Sequence, residues 1–367
     1  MAKRIKILFT ISNFDTSGSG KCVYDLVKGI NRDVFEPEIC CQHSKGSYFK
    51  EIEKLDVKIH LFPFKTNYRP LVTFPFRVLK IRKFFRDHQF DIIYSWHWSS
   101  DFSEPLAAKL AGVKYIFCKK AMGWGNKAWI WRSKLSTKIV AINEDMISEF
   151  YKGTSMMDKV VKISLGVDTN HFHPLKKTCP EGVQIDDTDF VIVSVANLVP
   201  VKGIEVLFEA VKQINNKNIK VFVVGNYDND YGLNLKAKYA NDTTFSFLGK
   251  HLDVRPFLAM ADLFVIPTKN EGRREGLPIA PIEAMASARI VIGSNIAGVK
   301  DVLKAFPQCI FEPNHVSDLA EKIKDVIKMS PIEREQLAQA MRTYVEQELS
   351  MEPFIQKHED LYLKLIG

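Results

Sequence analysis

Runs rich in β-branched and aliphatic residues alternate with helical patterns along most of this chain, and the alternation breaks off once and then begins again. Residues 5–11, 57–62, 91–95, 113–118, 138–142 and 159–164 read as strands, with helical segments between most of them. Such alternation predicts a parallel sheet covered by helices on both faces. A turn-rich stretch, 165–188, carries Gly166, Pro174, Pro180 and Gly182 and reads as a link between domains. The pattern resumes with strands at 189–196, 219–224, 244–248, 263–267 and 290–292 and helices at 203–214 and 279–286. The expected architecture is α/β: two Rossmann-like, doubly wound domains, residues 1–172 and 173–350, facing an interdomain cleft. Residues 351–367 read as a last helix. The length of 367 residues suits two such domains.

Hydrophobic residues make up 46% of the chain and charged residues 26%, the balance of a folded globular protein. No apolar run reaches the roughly 18–20 residues that a spanning helix needs, and 5–11 reads as a strand rather than a signal peptide. The six cysteines (Cys22, Cys40, Cys41, Cys118, Cys179, Cys309) show neither C-x-x-C spacing nor a nearby His pairing. That pattern suggests neither a disulfide framework nor a zinc site and fits a reducing cytoplasm. Charge is uneven. Residues 1–180 hold 30 Lys and Arg against 17 Asp and Glu, and the remainder hold 21 against 26. A basic half faces either something anionic, membrane lipid or nucleic acid, or only solvent. Segment 74–86 (FPFRVLKIRKFFR) mixes aromatic and aliphatic residues with Arg77, Lys80, Arg82, Lys83 and Arg86. As a helix it suits an anionic membrane surface, or a sheet-packing role with a basic outer face. No RNA-binding motif or reading helix is found, so nucleic acid is not an expected partner.

Two carboxylates, Glu275 and Glu283, flank a loop-to-helix junction after the strand at 263–267. Gly276 permits close backbone approach, Leu277 follows it, Pro278 suits a first helical turn, and the free N–H groups of a helix start attract phosphate. On spacing alone, two solvated glutamates beside a helix start fit as well. Lys202 and Gly203 open a helix after the strand at 189–196, where a lysine and the helix dipole can jointly neutralise a diphosphate, although a surface lysine is the commoner case. The stretch from Thr16 to Cys22 invites a phosphate-loop reading but fails it. Asp15 stands where the first glycine belongs, and Cys22 lacks the metal-binding hydroxyl. Gly18 and Gly20 are expected in a tight turn, close to a ligand or simply turning the chain. Trp96, His97 and Trp98 follow the strand at 91–95, at the end where ligands bind.

Residues 267–303 (PTKNEGRREGLPIAPIEAMASARIVIGSNIAGVKDVL) resemble the signature of glycosyltransferase family 4, retaining enzymes of the GT-B fold, and residues 193–211 (VSVANLVPVKGIEVLFEAV) resemble a second part of it. The resemblance implies that Glu275 hydrogen-bonds the donor sugar, that Glu283 holds the ribose, and that amides around Gly276, Leu277 and Pro278 meet the diphosphate. Lys202 would neutralise it. The family's arginine five residues before that lysine is replaced here by Asn197, which shifts the charge requirement to Lys202, helix N-termini, or Arg273 or Arg274. Family members place a histidine after the strand corresponding to 91–95, which assigns His97 to the catalytic set with Glu275 and Lys202. Gly18 and Gly20 resemble first-loop glycines near the donor phosphate and the acceptor.

The chemistry so implied is hexosyl transfer with retention, from a nucleotide-sugar (UDP-sugar first) to a glycan or lipid-linked acceptor in cell-surface polysaccharide assembly. The enzyme would be cytoplasmic, or peripheral at the inner face of the membrane. No cofactor or metal is expected, since no Asp-x-Asp motif lies where a divalent ion would bridge the phosphates. The rival readings are a sugar-nucleotide epimerase of the same architecture and a nucleic-acid-binding protein.

Overall fold

The computed structural model describes residues 3–15, 17–46, 48–272 and 274–367. It divides into two compact units, Met1–Leu165 with Met351–Gly367, and Gly166–Ser350.

The first unit is built on seven parallel strands, β1 (Ile5–Thr10), β2 (Phe35–Cys41), β3 (Ile59–Leu61), β4 (Ile92–Ser95), β5 (Lys114–Lys119), β6 (Lys138–Ala141) and β7 (Val160–Lys162), in the order β3-β2-β1-β4-β5-β6-β7. Its helices are α1 (Ser17–Gly29), α2 (Phe49–Glu53), α3 (Phe74–Asp87), α4 (Ser103–Ala111), α5 (Trp129–Leu135) and α6 (Glu144–Phe150). Side chains on both faces of the central strands, such as Leu8, Phe9, Ile92 and Ile93, are buried, as helices on both faces require. Strand β2 is an addition to the expected set. Pro37 and two glutamates disguise it in the sequence. The buried Glu38 is admitted because Lys6 and His60 each bond one of its oxygens, at 2.8 and 2.5 Å. Burial pushes that carboxyl up, but these two partners outweigh it and hold its pKa down at about 2.

The second unit carries six parallel strands, β8 (Phe190–Val195), β9 (Ile219–Val224), β10 (Phe245–Gly249), β11 (Leu263–Ile266), β12 (Ile290–Ser294) and β13 (Ile310–Phe311), ordered β10-β9-β8-β11-β12-β13. Its helices are α7 (Ile204–Ile214), α8 (Asp230–Lys238), α9 (Arg255–Met260), α10 (Ala280–Ala286), α11 (Val299–Val302), α12 (Val316–Lys328) and α13 (Pro331–Glu348). In α7 the residues Ile204, Leu207, Phe208 and Val211 recur at helical spacing and are buried, each contributing about 2 kcal/mol. Ser330 and Glu333 form a reciprocal capping box at the start of α13, with Pro331 in its first turn.

Residues 166–172, expected with the first domain, pack with the second unit. The Val167 N–H donates to the Leu349 carbonyl at 2.8 Å, and Val167 bridges to Ser350. Helix α14 (Met351–Ile366) packs on the first unit. It buries Phe354, His358, Leu361 and Tyr362, and Tyr94 of β4 donates its hydroxyl to His358 Nε2 at 2.9 Å. The other ring nitrogen, Nδ1, donates to the Phe354 carbonyl at 2.7 Å. Burial holds this imidazole's pKa down at about 4, although the Phe354 carbonyl works against it. Among the described residues no helix is long and apolar enough to cross a membrane.

Candidate functional site

In the second unit the strand order reverses at β8: the chain runs outward through β9 and β10 on one side and then crosses back to β11 on the other. Loops leaving the carboxyl ends of strands at such a switch point enclose a crevice. From β8 the chain runs through Asn197 and a 3-10 turn, Pro200–Lys202, to Gly203 and α7. From β11 it runs through Lys269 and Glu275 to α10. The two loops are tied together at several points. The Lys269 N–H donates to the Val201 carbonyl at 2.8 Å. Gly203, at φ +64°, lies so near the Pro267 carbonyl that a Cβ would stand 2.2 Å from its oxygen. Glycine is therefore required there twice over, for conformation and for space. The result is an ion pair between Lys202 and Glu275, both about four-fifths buried. Two of the three residues expected to be catalytic thus meet.

A second cation joins them. Lys269 pairs with Glu205 of α7 and lies 3.2 Å from Glu271, and Tyr231 of α8 donates its hydroxyl to Glu205. Burial pulls the Lys269 ammonium down, but the two glutamates outweigh it and raise its pKa. Lys269 lies within the 267–303 block, but its role depends on Glu205 from a distant segment and was not foreseen. Leu277 and Pro278 are buried and anchor the loop from beneath, while Gly276 receives the close approach of Gly298, whose added Cβ would stand 2.3 Å from the Gly276 carbonyl oxygen. Glu283, partly buried, is in the first turn of α10, and its N–H donates to the Ile279 carbonyl at 3.0 Å. Asn197 is exposed at the end of β8, and Arg274 is partly buried on the Glu275 loop. Arg273, the alternative to Arg274, lies outside the described residues. A ligand combining a polyanion with hydroxyl groups would here meet lysines and carboxylates side by side. In the triplet Asp228–Asp230 the middle residue, Asn229, caps α8, its side chain accepting from the Gly232 N–H at 3.1 Å. Among the described residues no group of three or more His, Cys, Asp or Glu is placed to hold a metal.

The first unit carries the remaining candidates, and two expectations are corrected there. His97 does not present a ring to a ligand: its side chain is fully buried. Its Nε2 donates to Glu104 Oε2 at 2.8 Å, and its Nδ1 accepts from Ser99 Oγ at 3.0 Å. Burial first, and then the Arg132 guanidinium, drive its pKa down to about 3, so the ring is neutral. Glu104 is the anion of this cluster. Thr10, Ser95 and Tyr115 donate to it at 2.5, 2.9 and 2.7 Å, and Arg132 bonds Ser95 Oγ at 3.0 Å and Tyr115 Oη at 3.3 Å. His97 is thus a positioning residue for the β4 and α4 ends. Gly18 and Gly20 form no turn. They lie in the first turn of α1, where a Cβ at Gly20 would touch the Phe14 ring at 3.0 Å and one at Gly18 would meet nothing. Thr16, the start of that segment, lies outside the described residues. Beside α1, Lys120 at the end of β5 donates to Ser19 Oγ at 2.6 Å and to the Trp96 carbonyl, and burial lowers its pKa to about 8. This partly buried lysine beside a helix start was not foreseen.

At the same carboxyl end of the first sheet a cavity of about 460 Å³ opens. Loops after β2, β3, β4 and β5 line it with Gln42, Lys65, Asn67, Tyr68, Asp101 and Asn126, among others. Its walls are polar, with the Tyr68 ring half exposed. Burial lowers the Lys65 ammonium and raises the Asp101 carboxyl. Amide, hydroxyl and ring surfaces of this kind match the two sides of a sugar ring.

Comparison with known proteins places these features in a family. Residues 176–344 match the family described as glycosyl transferases group 1, and residues 16–171 match glycosyltransferase family 4. The N,N'-diacetylbacillosaminyl-diphospho-undecaprenol alpha-1,3-N-acetylgalactosaminyltransferase of Campylobacter jejuni is 25% identical over 76% of this chain and 79% of its own length. The capsular polysaccharide biosynthesis glycosyltransferase CapH of Staphylococcus aureus is 24% identical over 84% and 86%. The UDP-Gal:alpha-D-GlcNAc-diphosphoundecaprenol alpha-1,3-galactosyltransferase of Escherichia coli is 27% identical over 62% and 63%. Among solved structures, a glycosyltransferase from Rickettsia africae superposes with a TM-score of 0.82 at 18% identity, covering 99% of both chains. Anabaena Alr3699/HepE in complex with UDP superposes with 0.80 at 18%, covering 98% of this chain and 100% of that one. The two family matches together span most of the sequence, and the superpositions give the fold as GT-B: the chain belongs to the family 4 type of glycosyltransferases and is a hexosyltransferase-type enzyme.

Proposed function

We propose that this enzyme transfers a hexosyl group, with retention, from a UDP-sugar held by the second unit to a lipid-linked glycan held by the first. The observation that carries the reading is the Lys202–Glu275 ion pair at the β8/β11 switch point, with Glu283 at the head of the adjoining helix. The donor diphosphate replaces Glu275 as the partner of Lys202, and the released carboxylate takes the sugar hydroxyls. Glu283 accepts from the ribose. The acceptor hydroxyl attacks the anomeric carbon on the face from which the diphosphate departs, and a leaving phosphate oxygen takes its proton. No protein nucleophile is needed. Catalysis consists of orientation and of charge neutralisation by Lys202, Lys269 and loop amides. These groups supply the counter-charge that a divalent ion would otherwise give, so donor binding should persist in a chelator.

The UDP donor draws support from two neighbours, HepE with UDP and HepE with UDP-glucose, and from the UDP-Gal-using relative. The lipid-linked acceptor draws support from the two relatives whose names specify diphospho-undecaprenol substrates. Its sugar would occupy the polar cavity of the first unit. Such an enzyme works at the cytoplasmic face of the membrane. The test is thermal stabilisation by UDP, GDP, ADP and their sugar conjugates in EDTA, for the wild type and Glu283→Ala. A shift confined to one nucleotide series and lost in the variant supports the proposal; no shift with any nucleotide overturns it.

A further inference from the structure

The chain has five tryptophans, and all of them fall in the first unit. Three are packed away. Trp96, just after β4, is buried, and Trp124 and Trp129 stack on one another against the core with ring centroids 5.0 Å apart. The other two are bare: Trp98 is 77% exposed and Trp131 60%. An indole left in water forfeits the burial that makes it useful in a core, whereas a large, rigid, exposed ring offers contact area to a ligand at little entropic cost.

The segments that carry these two rings are distant in sequence and are joined by one buried side chain. Trp131 immediately precedes Arg132 in α5, and the Arg132 guanidinium donates to the backbone carbonyls of His97 and Ser99, the residues on either side of Trp98. A second tie, from the Asn126 N–H to Ser100 Oγ at 3.2 Å, joins the same two segments. The rings are thus carried on backbone that is fixed before any ligand arrives, which spares the ordering cost of a loose loop. Both segments also wall the polar cavity. Ser99, Ser100 and Asp101 follow Trp98 directly, and Ala128 stands three positions before Trp131, a spacing that shares a helix face.

The setting of the rings favours one occupant. Asn126, Lys127 and Lys134 are exposed along α5 and its approach, and the Lys134 ammonium stands 5.5 Å from the Trp131 ring centroid. A protein partner needs a continuous apolar centre, and these rings stand singly among polar and charged groups. A sugar needs this mixture, since its C–H face can lie on an indole while its rim of hydroxyls meets amide and ammonium groups. We propose that Trp98 and Trp131 are stacking platforms for the inner sugars of an oligosaccharide acceptor whose terminal ring fills the polar cavity. The inference rests on the cavity being the acceptor site and adds the acceptor's class, a chain with one ring in the cavity and one on each indole. Earlier glycosyl transfers must then supply this substrate, and the enzyme extends a glycan rather than starting one.

The experiment is binding of the full chain to an array of lipid-free bacterial surface oligosaccharides of one to four sugars, with thermal stabilisation by UDP read on the same preparations. The wild type should hold tri- and tetrasaccharides at least roughly tenfold more tightly than the monosaccharides of the same series. Trp98→Ala combined with Trp131→Ala should erase that length preference, and Trp98→Phe with Trp131→Phe should keep part of it. Both double variants should retain the wild-type Tm, since the altered side chains are exposed. Equal binding of short and long glycans by the wild type, no glycan binding at all, or a length preference that survives in the alanine variant would each overturn the inference. So would wild-type self-association lost in the alanine variant, which would make a second copy the occupant. A wild type that prefers long glycans but shows no UDP shift would refute the transferase reading and leave the platforms in place.

Discussion

Replacing Gly203 by alanine should damage the second unit more than its backbone angle alone explains. Two costs add. An L-residue at φ +64° costs about 1 kcal/mol. The new Cβ would stand 2.2 Å from the Pro267 oxygen and 3.1 Å from Lys269 Cγ, so the β11 loop must retreat by several tenths of an ångström. Overpacking of that order costs about 1–3 kcal/mol more. The expected total is about 3 kcal/mol, or roughly 6–12 °C in the Tm of a unit this size. Gly182 provides the control in the same unit: its φ is +78° and nothing lies within 4 Å of an added Cβ. Gly182→Ala should cost only about 1 kcal/mol. The assay is urea unfolding of both variants, read alongside UDP stabilisation. Because Lys202 precedes Gly203 and Glu275 follows the displaced loop, Gly203→Ala should also weaken nucleotide binding, while Gly182→Ala should not. Equal stability loss in the two variants would refute the argument from close approach.

Acid should unfold the first unit early. His97 and His358 are buried and neutral, with pKa values near 3 and 4, so only the unfolded chain takes up protons between about pH 6 and pH 4. Depressed pKa values give stability that is complete above the unfolded pKa and lost as pH falls, here by roughly 2.5 kcal/mol per pH unit near pH 5. Urea midpoints that stay level from pH 7 to about pH 4.5 would contradict this. Arg132→Met should cost about 3–5 kcal/mol by stranding the Glu104 carboxylate, and adding Glu104→Gln should restore part of it, as denaturation of single and double variants would show. Tyr94→Phe removes the hydroxyl that His358 Nε2 accepts from and should cost about 1–2 kcal/mol by the same measure. Glu275→Gln should abolish sugar transfer while leaving UDP binding within a fewfold of wild type, whereas Lys202→Met should weaken UDP binding at least roughly tenfold, by calorimetry.

What the sequence revealed and what it hid follow from the range of the interactions involved. Strands such as β8, β9 and β11 announce themselves through continuous aliphatic runs, and α7 through its period, because local patterns set them. The Glu275 and Lys202 positions were legible for a related reason: each lies on a loop whose glycine and proline spell out its geometry. Strand β2 was hidden because its stability depends on Lys6 and His60 reaching Glu38 across strands, a pairing no local window contains. His97 illustrates the converse. Its place after β4 suggested a ligand contact, yet Arg132, from an element 35 positions onward, and Glu104 draw it into the interior. Lys120 and Lys269 gain their meaning only from Ser19 and Glu205, contributed by other segments.

The return of α14 to the first unit also governs the order in which the polypeptide can be completed. Residues 166–350 are contiguous and hold all of their unit's strands, so they can close as soon as they leave the ribosome. The segment translated earliest must wait. Tyr94 and His358 are separated by 264 positions, and until α14 arrives the surface that receives Phe354, Leu361 and Tyr362 stays bare. The first unit to be synthesised is therefore the last to be finished, and for that interval its uncovered flank is the part of the nascent chain most in need of a chaperone.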